Sequence, residues 1–120
     1  MSYETNIYYR PEASGLEKVE DLSQNLSYEF NILLVLRHIK SKRIFWTQDS
    51  GCSCPTPFGK HYFKSPDKNS LDEITLERFK EFERDVENFP VSREERDSCV
   101  FKVSQLLRDT FSVKPYFESL

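Results

Sequence analysis

The clearest alternation of apolar and polar residues lies between Tyr28 and His38. Every even-numbered residue from Tyr28 to Leu36 is apolar, as expected for a strand with one buried face. In the second half of this run the odd-numbered residues are also apolar, which is typical of a central strand. Apolar segments on both sides, joined to it through polar turns, supply two more strands. The pattern predicts a three-stranded antiparallel meander within residues 16–48.

The last third of the chain has the period of amphipathic helices. Apolar residues recur every three or four positions from Leu76 to Phe89, and Thr75 is a suitable N-cap. The sequence 70–73 has the form of a capping box, so this helix could begin one turn earlier. A second capping box opens at Ser92, after the helix-breaking Pro90. The apolar face that follows it comprises Cys99, Val100, Val103, Leu106, Leu107 and Phe111.

These elements predict an α+β fold in which both helices pack on one face of the meander. We expect helices at about residues 75–89 and 92–111, and one domain over residues 1–120 with two layers. Residues 49–69 are irregular and rich in proline, which predicts a long loop. Loops of that length in compact domains are usually functional or mobile.

Composition and charge narrow the possible partners. The chain has 120 residues, of which 38% are hydrophobic, with 10 Phe and 6 Tyr. The net charge of −3 argues against nucleic acid and against anionic membranes. Residues 67–97 are acidic, with 11 acids and 6 bases, whereas residues 37–43 carry bases alone. No apolar run is long enough to cross a bilayer and no signal peptide begins the chain, so we expect a soluble cytoplasmic protein with reduced thiols.

The most distinctive segment is Asp49-Ser50-Gly51-Cys52-Ser53-Cys54-Pro55-Thr56-Pro57-Phe58, which follows a strand that contains Trp46. Upstream, Tyr8-Tyr9-Arg10-Pro11-Glu12 precedes Gly15. Over about residues 8–75 the chain resembles a family of small uncharacterised proteins from phages of actinobacteria, with a Ser-Gly-Cys-Ser-Cys-Pro-x-Pro-Phe loop. The family often has an acid after that Phe, where this chain has Gly59-Lys60. The resemblance implies a phage protein in the cytoplasm of the host bacterium, and it implies no catalytic residue.

The cysteines of this loop allow a metal site, whose ligands would be Cys52, Cys54, Cys99 and either His61 or His38. One residue between two ligands is fewer than structural zinc sites use, so we expect no metal and no cofactor. A redox pair would need two intervening residues and a helix N-terminus. The alternative that we favour is that Cys52 and Cys54 are small buried apolar groups under a stiffened loop, with His61 facing solvent.

A nucleic-acid interface would use the cations of the second turn with an aromatic ring for stacking. Those cations are Arg37, Lys40, Lys42 and Arg43, followed by Phe45 and Trp46. Trp46 shares a strand face with Ile44, however, which predicts that its ring points into the core.

No Gly-rich phosphate loop, paired carboxylates or nucleophile–base motif occurs, so we do not expect an enzyme. The excess of aromatic residues and the constrained loop favour a protein that acts by binding another protein. We expect the loop to be ordered, held at its ends by Trp46 and Phe58, and to present Ser53, Thr56 and Tyr62 to the partner. A small metal-stabilised or nucleic-acid-binding domain is the alternative.

Overall fold

The computed structural model describes residues 5–25, 28–52 and 56–111; within these elements, the side chains at positions 25, 52, 110 and 111 are not described. Within these ranges, a turn of 3₁₀ helix, Pro11–Ser14, precedes six strands and two helices. The strands are β1 (Leu16–Asn25), β2 (Glu29–His38), β3 (Ile44–Cys52), β4 (Phe63–Ser65), β5 (Lys68–Asn69) and β6 (Asp72–Ile74). The helices are α1 (Phe79–Glu87) and α2 (Arg93–Phe111).

The main sheet confirms the antiparallel meander and adds one strand to it. Its order is β1-β2-β3-β6, and every neighbouring pair is antiparallel. The added strand β6 pairs with residues 44–46 of β3. The alternative start of α1 at the capping-box sequence 70–73 is therefore wrong, because residues 72–74 pair with β3.

Strand β2 is buried on both faces, as the sequence predicts. Leu33 and Val35 belong to one hydrophobic cluster, and Ile32, Leu34 and Leu36 belong to the other. Successive side chains of a strand point to opposite faces, so the two clusters lie on opposite sides of the sheet. Trp46 lies in the first cluster beside Ile44, as its position on β3 predicts.

Both helices cover the face of the sheet that carries Trp46. Phe82, Val86, Cys99 and Val103 are buried there against the strands. The predicted start of α2 at Ser92 is confirmed, because Ser92 Oγ accepts a hydrogen bond from the backbone N–H of Glu95. The same hydroxyl donates to the carboxylate of Glu95. The first helix begins at Phe79, later than the predicted position near 75.

The residues just before α1 explain its late start. The hydroxyl of Thr75 accepts a hydrogen bond from the backbone N–H of Arg78, which closes a turn ahead of the helix. Leu76 was expected on the apolar face of α1, but it lies outside the helix and its side chain is 65% exposed.

The opposite face of the sheet is also covered, so the prediction of two layers is wrong. We call its cover, the described segments 5–15 and 56–71, the loop layer. Ile7, Phe58 and Phe63 of this layer are buried against Leu34, Leu36 and Phe45 of the sheet. The predicted loop 49–69 is also more regular than expected, since β3 continues to Cys52 and β4 pairs with β5 in a small hairpin.

Candidate functional site

The loop layer contains the binding residues that the sequence predicts, as far as they are described. Ser53 and Cys54 lie outside the described residues, as does the side chain of Cys52. Thr56 is partly buried, and Tyr62 is 46% exposed. Trp46 and Phe58 are both buried, as predicted, but they pack on opposite faces of the sheet.

Phe58 fixes the far end of the cysteine loop. Its side chain is fully buried, and its ring packs against Tyr8 with the centroids 5.6 Å apart. Its backbone has a φ of 61°, which is costly for a bulky side chain and persists only where the surroundings impose it. A hydrogen bond of 2.8 Å from its N–H to Oδ2 of Asp49 helps to impose it.

Asn6 ties the N-terminal segment to the same place. Its side-chain N–H donates to the carbonyl of Pro57 over 3.0 Å. Its Oδ1 accepts hydrogen bonds from the backbone N–H groups of Tyr8 and Tyr9, over 2.8 and 3.1 Å. Buried polar groups need such partners, and Asn6 supplies them while joining two segments that are far apart in sequence.

His61 belongs to the same loop layer and is half-buried, so the prediction that it faces solvent is wrong. Its ring packs edge-on against Phe58 at 5.0 Å between centroids. Burial lowers the pKa of His61, although the negative charge of Asp49 and a hydrogen bond to the backbone of Gln48 act in the opposite direction. Its Nδ1 is buried and has no hydrogen-bond partner within the described part of the chain.

A cleft of about 630 Å³ opens between the two segments of the loop layer. Residues 58–64 form one wall, and Thr5, Asn6, Ala13 and Ser14 form the other. Two exposed lysines, Lys60 and Lys64, and the exposed ring of Tyr62 line it. The volume is in the range that ligand-binding clefts occupy, and both walls are held by the bonds of Asn6 and Asp49.

The potential metal ligands are not brought together as a set. Cys99 lies in the cluster under the helices, whereas His61 packs in the loop layer on the other side of the sheet. Burial raises the pKa of the Cys99 thiol to about 12, so it is protonated at neutral pH. Among the residues that the structure describes, no three His, Cys, Asp or Glu side chains form a potential metal-binding group.

The four cations of the possible nucleic-acid interface have two different roles. Arg43 donates from Nε and Nη2 to both carboxylate oxygens of Glu73, over 2.9 and 2.8 Å, and from Nη1 to Asp67 over 3.0 Å. These bonds raise its pKa. Arg37 Nε donates to Glu17 over 2.6 Å.

The two lysines of the same turn are different. Lys40 and Lys42 are exposed and have no ion-pair partner in the described ranges. The arginines therefore hold the sheet together, and only the lysines remain available to a ligand.

Sequence reasoning missed the residues that hold the cleft. Asn and Asp often accept hydrogen bonds from backbone N–H groups near a turn, so Asn6 and Asp49 carried a usable local signal. Lys60 was noted only as a departure from the family pattern, and Lys64 was not singled out. Their shared cleft depends on the N-terminal segment folding over residues 58–64, for which the local sequence carries no signal.

Residues 5–110 match the family model whose description is Domain of unknown function (DUF7574). Neither the curated proteins nor the solved structures include a match to the chain. The helices in the described ranges include none that is long and apolar enough to span a membrane. Since the family model covers most of the sequence and of the fold described above, the chain belongs to the DUF7574 family.

Proposed function

We propose that this chain is a phage-encoded accessory protein that works by binding another protein through the cleft of the loop layer. The observation that carries the proposal is the cleft of about 630 Å³, whose walls are held together before any partner arrives. The bonds of Asn6 to Pro57 and of Phe58 to Asp49 hold those walls. A pre-organised surface loses less entropy on binding, which supports a recognition role.

The rim of the cleft has the composition of a protein-binding surface. Tyr62 is 46% exposed beside it, and tyrosine supplies contact area at a low cost in side-chain entropy. Thr56 is close to Tyr62 in the sequence and begins a turn, in which its carbonyl accepts a hydrogen bond from the N–H of Gly59 over 3.1 Å. Ser53, the other contact that the sequence predicts, lies outside the described residues.

The available chemistry supports binding rather than catalysis. His38 Nδ1 lies 2.7 Å from the hydroxyl of Ser41, the kind of pair that nucleophilic catalysis uses. Both groups, however, accept hydrogen bonds from backbone N–H groups of the turn, those of Ser41 and Arg43, so they serve to close it. The Nδ1 of His61 is buried and has no hydroxyl or thiol partner among the described residues, so it forms no nucleophile–base pair there.

The phage origin rests on the resemblance of residues 8–75 and of the ten-residue loop motif to proteins of actinobacterial phages. We accordingly place the protein in the host cytoplasm during infection. Its partner would be a host protein or another phage protein in that compartment.

Site-specific photo-crosslinking in infected host cells tests the proposal. A photoreactive benzoylphenylalanine replaces Tyr62 in one variant, and Leu76 or Phe101 in two controls that are 65% and 64% exposed. We expect a discrete protein adduct from position 62 alone. Adducts from position 101 alone would place the partner on the helices, and equal adducts from all three positions would mean non-specific contact. Either result, or no adduct at position 62, would contradict the proposal.

A further inference from the structure

The lysines of the cleft carry positive charge that the protein does not neutralise. Lys60 and Lys64 line the cleft, and no carboxylate of the described residues forms an ion pair with either of them. The same holds for Lys68 of β5 and for Lys40 and Lys42 of the turn between β2 and β3. Among the described residues, these five lysines therefore have no ion-pair partner, although the net charge of the whole chain is −3.

The few acids nearby are already engaged. Residues 37–70 contain 7 lysines and arginines but only two acids, Asp49 and Asp67. Asp67 is bound by Arg43, and Asp49 accepts the N–H of Phe58. Acids concentrate elsewhere: a depression between β1 and α2 is lined by Glu20, Asp21, Glu94 and Glu95. Lys60 and Lys64 therefore give the cleft a local positive charge, although the net charge of the whole chain is negative.

We infer that the loop-layer cleft binds an acidic segment of the partner protein, with carboxylates on Lys60 and Lys64 and the Tyr62 hydroxyl donating to a third acceptor. This inference rests on the proposed function and names the chemistry of the partner. Charge complementarity of this kind raises the association rate of two proteins and disfavours partners of the wrong charge. The cleft volume of about 630 Å³ accommodates a few side chains of an extended segment.

A peptide fits these groups better than a nucleic acid does. Arginine binds phosphate and carboxylate alike through two parallel hydrogen bonds, and both arginines of this region, Arg37 and Arg43, are already held by carboxylates. The free lysines attract either anion, so the exposed aromatic rings decide between the two ligands. Single-stranded nucleic acid also needs several exposed rings on which successive bases stack. Of the rings that line the cleft, Phe58 and Phe63 are buried and His61 is half-buried, which leaves Tyr62 as the exposed ring.

Fluorescence polarisation with defined probes tests the inference on the whole chain. The probe is a fluorescein-labelled peptide of alternating glutamate and glycine, and the control peptide has glutamine in place of every glutamate. A labelled oligothymidylate represents nucleic acid. The protein variants are Lys60→Glu and Lys64→Glu, with Lys80→Glu on α1 as a control that makes the same charge change at an exposed site outside the cleft.

We expect the glutamate peptide to bind, the glutamine peptide not to bind, and each cleft variant to lose affinity roughly tenfold. The Lys80→Glu protein should bind like the wild type. Equal loss in all three variants would show that only net charge matters and would overturn the inference. Tighter binding of oligothymidylate, or no preference for glutamate over glutamine, would overturn it too. Lys60→Gln and Lys64→Gln replace any glutamate variant whose circular dichroism differs from that of the wild type.

The outcome is separable from that of the proposed function. If position 62 crosslinks to a protein but the glutamate peptide does not bind, the cleft binds a partner that is not acidic, and this inference alone fails. If position 62 gives no crosslink, the proposed function fails, whatever the peptide does.

Discussion

The backbone N–H of Phe58 donates a hydrogen bond of 2.8 Å to Oδ2 of Asp49, and this bond joins the end of the cysteine loop to strand β3. Phe58 is fully buried and has a positive φ, so the bond helps to maintain a conformation that the residue would otherwise avoid. Phe58 in turn positions His61, whose backbone N–H donates a hydrogen bond to the Phe58 carbonyl over 3.1 Å.

Replacing Asp49 by Ala should therefore lower the free energy of unfolding by about 1–2 kcal/mol, because the N–H of Phe58 loses a charged acceptor in a partly buried place. Asp49→Asn keeps one acceptor oxygen and should cost less. Urea denaturation measures both. Glu29→Ala, which removes an exposed carboxylate from the start of β2, is the control. If Asp49→Ala is no more destabilising than this control, the hydrogen bond does not hold the loop.

The stability of the protein should depend on pH through His61. Its pKa is lowered in the folded state by burial, so the unfolded chain binds the proton more tightly. Stability is therefore full above the ordinary histidine pKa of about 6.5 and falls as the pH drops from there toward the lowered value. His61→Phe keeps a ring against Phe58 but cannot titrate.

Urea denaturation at about pH 7.5 and about pH 5.5 compares the two proteins across this window. We expect the wild type to lose more stability than His61→Phe on acidification. Tyr62→Phe, which retains both histidines, should behave like the wild type. An identical pH dependence in His61→Phe and in the wild type would show that His61 is not the titrating group.

Arg43 should be structural, although the sequence placed it among potential nucleic-acid contacts. Its planar guanidinium binds both oxygens of Glu73, and lysine cannot reproduce that geometry. Arg43→Lys should therefore cost about 1 kcal/mol, a modest value because the pair is partly exposed to solvent. Lys42→Ala in the same turn should leave the urea midpoint unchanged. Equal urea midpoints for Arg43→Lys and the wild type would show that the two hydrogen bonds from Arg43 to Glu73 do not stabilise the fold.

Cys99 should be unreactive in the folded protein. Burial raises the pKa of its thiol to about 12, and only the thiolate is a nucleophile or a metal ligand. In a Cys52→Ser, Cys54→Ser background, iodoacetamide should modify position 99 only after denaturant is added. Mass spectrometry detects the adduct. Rapid alkylation without denaturant would show that the helix face opens and exposes this thiol.

A zinc site that uses Cys99 should also be absent from the folded protein. Because Cys99 and His61 lie on opposite faces of the sheet, a site that used both would require the fold to open. We expect elemental analysis of protein purified without chelator to find zinc well below one equivalent. A chelator should also leave the melting temperature unchanged. Stoichiometric zinc with a lower melting temperature after chelation would contradict this expectation.

The sequence predicted correctly the elements in which the pattern of apolar residues repeats many times. Strand β2 and helix α2 have ten and nineteen residues, so their apolar positions repeat often enough to identify both the element and its faces. Strands β4, β5 and β6 have two or three residues each and show no such period. In β6, the position of Glu73 also fits a capping box at the start of a helix. The pairing of β6 with β3 and the hydrogen bonds from Arg43 to Glu73 favour the strand instead.

The candidate site was predictable only in part, for the same reason. Tyr62 and Thr56 stood out because they lie in or next to an unusual local motif. The cleft depends instead on contacts between distant segments, such as the bond from Asn6 to Pro57 and the packing of Tyr8 on Phe58. No local pattern encodes such contacts. The sequence correctly indicated a constrained loop, but it did not show which segment folds over it.

All the functional proposals require residues 56–71 of the loop layer to be ordered before a partner binds. Amide hydrogen exchange measured residue by residue tests this most directly. The N–H groups of Phe58, Gly59, His61 and Tyr62 all donate hydrogen bonds within the protein. We predict that they exchange far more slowly than in a free peptide, with protection approaching that of β3. Exchange at free-peptide rates at these four positions would contradict the account of a pre-organised binding surface.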